Sequence, residues 1–215
     1  MRKVLFTLVG ILALGVFSAN AYALDNTAFG YSGFTESNNL NINGTAYNNI
    51  DSGWIDLNGS NYGGNTNYFS GSYSGNFYKD YFDFDLTNLT GTVTSATFNV
   101  YTYTIDGAGT YNIFATALTP AQADPAIAPL PYYADLTSGE KIGTIFLVPG
   151  DSDSTVTINL NAAGEAWLQD NAGGGVVIGG EFGATVVPEP GSLLLLGTGL
   201  AGLAGMLRRK LTKGL

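Results

Sequence analysis

The chain has 215 residues, no cysteine and no histidine, and 17 acidic against eight basic residues, for a formal charge of −9. Without thiol or imidazole it has no disulfide staple, no thiol nucleophile, no imidazole metal ligand and no histidine for a hydrolase triad. Six of the basic residues sit at the two ends, so only Lys79 and Lys141 face the sixteen acids between Asp25 and Glu181, a formal charge of −14 that repels phosphate backbones and argues against a nucleic-acid partner.

The first element is a targeting signal. Arg2 and Lys3 precede an apolar run, 4–17, which ends in Ser-Ala-Asn-Ala-Tyr-Ala at 18–23. A charged start, an apolar run and a small-x-small site make a secretory signal peptide. It is predicted over 1–23, with cleavage after Ala23, or alternatively after Ala21. The run falls short of the ~20 residues that a permanent span needs. Residues 24–187 then form one exported domain, long enough for a single core, and 188–215 form a tail.

The N-terminal third of that domain, NNLNINGTAYNN (38–49) and LNGSNYGGNTNYFSGSYSGNFY (57–78), is dense in Asn, Gly, Ser and Tyr. Turn formers interleaved with rigid aromatics predict loops and edge strands, and a sugar-binding rim is their functional reading. Strands follow. Apolar and polar residues alternate with period two over 82–86, 96–101 and 156–160, as half-buried strands require. Val176-Val177-Ile178, after three glycines, reads as a buried strand. Residues 161–170 alone look helical, with Asn161 as N-cap and Trp167 facing the core. The expected fold is all-β, an antiparallel β-sandwich of jelly-roll-like form with one short helix.

Three groups within this domain carry candidate chemistry. Asp83 and Asp85, alternate residues of one strand, share a face about 6.6 Å apart, within reach of a glycosidase carboxylate pair; the competing reading is an ordinary solvated face. Tyr101 and Tyr103 stand opposite Ala96, Phe98 and Val100 if those face the core. There their rings can stack on sugars and their hydroxyls can hydrogen-bond, although cross-strand packing requires the same residues. Asp151 and Asp153 lie in the turn Pro-Gly-Asp-Ser-Asp-Ser, 149–154. Its oxygens are candidate ligands for calcium, which takes six to eight, but the turn lacks the Gly and terminal Glu of an EF-hand loop and also reads as a solvated turn.

The tail opens with Val187-Pro188-Glu189-Pro190, held extended because each proline fixes its own φ and biases its predecessor away from helix. Residues 193–207 carry no charge and span about 22 Å as a helix, against a hydrocarbon core of ~30 Å. They predict a marginal membrane helix, with Arg208, Arg209, Lys210 and Lys213 on the cytoplasmic side. Gly197-Thr198-Gly199-Leu200-Ala201-Gly202 spells G-x-G-x-x-G, but no acidic residue follows and too little chain remains for a dinucleotide-binding unit.

This order of Val-Pro-Glu-Pro, short apolar span and terminal Arg-Arg-Lys resembles the PEP-CTERM sorting signal of Gram-negative bacteria. The resemblance makes Val187, Pro188, Glu189, Pro190, Arg208, Arg209 and Lys210 the sorting residues. It implies processing by an exosortase, a membrane-embedded thiol transpeptidase, after a transient stay in the inner membrane, with delivery to the cell surface or an exopolysaccharide matrix. Residues 84–103, 110–118 and 158–182 also look like the strand segments of many PEP-CTERM ectodomains, which are similar to the jelly-roll modules that accompany carbohydrate-active enzymes. That likeness implies a binding or structural sandwich without catalytic residues. The expected protein is therefore not an enzyme and needs no cofactor, calcium apart, and its sandwich binds or structures exopolysaccharide. A secreted polysaccharide-degrading enzyme and a ligand-free structural protein are the alternatives.

Overall fold

The computed structural model describes residues 27–30, 38–61, 63–64, 66–124 and 126–184. The signal peptide expected over 1–23 and the sorting tail expected over 188–215, including its helix 193–207, lie outside the described residues. Among the described residues no helix is long and apolar enough to cross a membrane.

The described residues form strands β1 (Thr27–Gly30), β2 (Asn39–Ile42), β3 (Thr45–Asp56), β4 (Tyr68–Tyr73), β5 (Asn76–Asp85), β6 (Ala96–Thr102), β7 (Thr104–Ile105), β8 (Gly109–Ala115), β9 (Lys141–Leu147), β10 (Ser154–Asn159) and β11 (Gly175–Ala184), with one helix, α1 (Ala162–Asp170). All strand pairs are antiparallel. The main path runs β10-β6-β2-β3-β5-β11-β8-β9, with β1, β4 and β7 attached beside it. At the far end Gly143 of β9 bridges to Leu160, just past β10. The expected all-β antiparallel sandwich with a short helix is what forms.

One strand turns the sheet into two layers. The first part of β3 pairs with β2 and the remainder pairs with β5, with a register shift between Asn49 and Asp51. A bulge of this kind kinks a strand and raises its twist, and Ile50, the residue it expels, is 60% exposed. Residues 38–49 therefore supply β2 and the start of β3, both interior, where loops and edge strands were expected, whereas residues 57–61, 63–64 and 66–67 carry no strand, as expected. The reason is visible in Asn39-Leu40-Asn41-Ile42: Leu40 and Ile42 are buried, so only the outer side of the strand needs to be polar. Asn43 and Gly44, with φ of 52° and 84°, make the two-residue turn joining β2 to β3; positive φ at both positions is what the twist of a hairpin demands.

The main core lies between the layers. Phe82 and Phe84 of β5 meet Phe98 of β6 edge to face, at ring separations of 5.0 and 5.9 Å, surrounded by Leu40, Ile42, Val100, Ile113, Ile158 and Ile178. Helix α1 caps β9. The Asn161 side chain accepts the Gly164 N–H at 2.9 Å, the expected N-cap. Leu168 is fully buried, whereas Trp167 is half-buried against the core. A Cβ on Gly164 would lie 2.9 Å from Ile142 Cβ, so glycine lets the helix approach closely there.

A second, smaller core explains why β5 is buried on both sides. The chain between β8 and β9 folds over the outer face of β3, β5 and β11, and its Leu118, Ala123, Leu130 and Leu136 pack on Ile55, Tyr81 and Val177. Lys79 ties the cover down: its Nζ donates to Thr137 Oγ1 at 2.6 Å, lies 4.4 Å from the centre of the Tyr133 ring and is 3.9 Å from Glu181.

Candidate functional site

Alternation on β6 sorts its side chains as expected. Ala96, Phe98 and Val100 are buried, Tyr101 is half-buried on the other side, and Tyr103, just past the strand, is 45% exposed. The Tyr101 hydroxyl donates to the Asp153 carboxylate. That hydrogen bond, above all, raises the phenol's pKa, with desolvation and the negative charge adding to it. The Tyr101 backbone is held as well, its N–H by Asn38 Oδ1 at 2.8 Å and its carbonyl by the Tyr68 hydroxyl at 2.6 Å.

The acidic turn is thereby brought to Tyr101. Pro149–Asp151 forms a 3₁₀ turn in which the Asp151 carboxylate accepts the Val148 N–H at 2.9 Å. The Asp151 carbonyl accepts from the hydroxyls of Thr102 and Ser154. Asp153 has a φ of 55° and donates its N–H to the Tyr103 carbonyl at 3.3 Å. Each carboxylate is thus already an acceptor for a protein donor, and among the described residues no three acidic side chains are grouped to hold a metal ion. The turn joins the two tyrosines to β10.

The layer that carries Tyr101 has a polar outer face. Register places Thr157 opposite Asn99, Asn99 opposite Asn39, and Asn39 opposite Asn48, one row across β10, β6, β2 and β3. Thr157 Oγ1 donates to Asn99 Oδ1 at 2.7 Å, and Asn99 Nδ2 donates to Asn39 Oδ1 at 2.9 Å. Sequence reasoning singled out the tyrosines and missed this row, although Asn39, Asn41, Thr97 and Asn99 alternate with apolar residues in the sequence.

The carboxylate pair fares differently. Asp83 is 5% exposed beneath the second core, whereas Asp85 is exposed at the end of β5, where its carboxylate accepts the Thr87 N–H at 2.8 Å and its pKa is lowered by that bond. Asp83 instead faces Asp51 across β3, accepts the Asp51 N–H, and has its pKa raised to about 7, chiefly by desolvation. On the inner side of the same strand Asp80 is 3% exposed, accepts the Tyr111 hydroxyl at 2.8 Å and is likewise raised to about 7 by burial. The expected pair is split between a covered and an open position.

The sorting residues Val187, Pro188, Glu189, Pro190, Arg208, Arg209 and Lys210 lie outside the described residues. No curated protein and no solved structure matches the chain. Its tail does match a family: residues 186–210 fit the PEP-CTERM protein-sorting motif. The chain carries a PEP-CTERM sorting signal and is an exported protein addressed to an exosortase.

Proposed function

We propose that this is a non-catalytic surface or matrix protein of a Gram-negative bacterium. Its tail holds it in the inner membrane until an exosortase cuts near Val187-Pro188-Glu189-Pro190. The sandwich then reaches the cell surface or extracellular matrix, where it binds or structures exopolysaccharide through the face bearing Tyr101 and Tyr103. The observation that carries this reading is the sorting motif at 186–210. Two features of the domain support the rest: an open polar sheet face beside Tyr101, and the burial of Asp83 away from Asp85. The intact mass of the extracellular form tests the processing. A species lacking residues 208–215 is expected, and one that still carries them overturns it. Release of reducing ends from exopolysaccharide by the purified protein would overturn the non-catalytic reading.

A further inference from the structure

We infer that the outer face of the β10-β6-β2-β3 layer is a binding strip for an uncharged polysaccharide, laid across the strands along the row Thr157-Asn99-Asn39-Asn48 and bounded by Tyr101. This deepens the glycan reading above and rests on it. The row crosses four strands, so at ~4.8 Å per strand it spans about 14 Å, the reach of a short oligosaccharide. Thr157 and Asn48 at its ends are exposed. Asn99 at its centre uses its carbonyl for Thr157 and one amide hydrogen for Asn39, leaving its second N–H for a ligand. A sugar hydroxyl both donates and accepts, as does each amide and hydroxyl of the row.

Two physical features favour a ligand over simple solvation. The side-chain hydrogen bonds hold Thr157, Asn99 and Asn39 in one geometry before anything binds, so a ligand meets a row whose rotamer entropy is already spent. Tyr101 stands opposite Thr155, one row along, and its hydroxyl is held by Asp153. The flank of the strip beside Asn99 therefore presents a fixed aromatic ring.

Charge selects the class of sugar. Among the described residues no cationic side chain lies on the strip: Lys79 is buried under the second core and Lys141 is on β9. The formal charge of −14 around them repels uronate or sulfated chains. The chemistry fits a neutral glycan and is mismatched to an acidic one.

The test uses the full chain in detergent, run through native gels containing hydroxyethylcellulose, laminarin, dextran or galactomannan as neutral probes, and alginate or polygalacturonate as acidic ones. Retardation by at least one neutral probe and by neither acidic one is expected. Asn99→Ala should weaken that binding about tenfold, with Tyr101→Ala also weakening it and Asn88→Ala, in an exposed turn, leaving it unchanged. Thermal melts by circular dichroism check that each variant is folded. Neutral binding that survives Asn99→Ala but is lost in Tyr101→Ala overturns the strip and leaves the tyrosine reading standing. Retardation by the acidic probes alone overturns the charge argument. No retardation by any probe overturns both this inference and the glycan reading beneath it.

Discussion

Asp80 should make the exported domain lose stability as the medium turns from acid to neutral. Its carboxyl is buried between the layers with the Tyr111 hydroxyl as partner, and it keeps its proton to about pH 7, whereas an unfolded aspartate releases it near 3.8. The native state therefore binds the additional proton between those two values. The stability this group contributes is complete below about pH 4 and is lost as pH rises through 7. At ~1.4 kcal/mol per unit over roughly three units, the loss is on the order of 4 kcal/mol. Asp80→Asn keeps an oxygen for Tyr111 and carries no charge at any pH, so it should remove this slope. Urea unfolding of residues 24–187, followed by tryptophan fluorescence between pH 4 and 8.5, measures it. The variant should match the parent within about 1 kcal/mol at pH 4 and exceed it at pH 8. Asp83, also raised to about 7, leaves a residual slope in the variant, which Asp80→Asn/Asp83→Asn should flatten further. Equal slopes in parent and Asp80→Asn, or a parent that grows more stable from pH 5 to 8, would refute the reasoning.

Four further substitutions probe the covering segment, a turn and the helix cap. Lys79→Ala removes the donor to Thr137 and the cation over Tyr133; it should cost about 2–3 kcal/mol in urea unfolding and speed trypsin-independent proteolysis of residues 116–140, for example by thermolysin. Gly179→Ala should be worse than Gly44→Ala. A Cβ at Gly179 would sit 1.9 Å from the Leu136 carbonyl oxygen and must push the covering segment away, whereas Gly44 has open space and pays only for its φ of 84°, about 1 kcal/mol. Equal melting temperatures for the two alanine variants would contradict that ordering. Asn161→Ala strips the cap from α1 and should cost about 1 kcal/mol, read from the urea midpoint at unchanged slope.

The legible parts of this chain are those governed by local rules. Period-two alternation found β6 and β10 and placed Phe98 and Val100 inside with Tyr101 outside, because one side of each strand faces water. The Asn161 cap and the tail motif were readable for the same reason, since each is a short run with its own geometry or recognition. The failures come from contacts distant in sequence. Asp83 looked like a solvated residue because alternation says nothing about a second cover, and the segment that buries it lies 33 or more residues downstream. The cover buries Asp83, whose pKa desolvation raises to about 7, while Asp85 stays exposed and is lowered by the Thr87 N–H it accepts, so spacing alone misjudged their chemistry. The Asn-rich stretch misled in the opposite direction. Asparagine's preference for turns is a weak local bias, and it yields when Leu40 and Ile42 bury beside it and neighbouring strands supply partners for the amides. A row such as Thr157-Asn99-Asn39 joins residues 118 positions apart and exists only once the register is set. Sites formed across strands are therefore the ones a single sequence conceals, even where the strands themselves are plain.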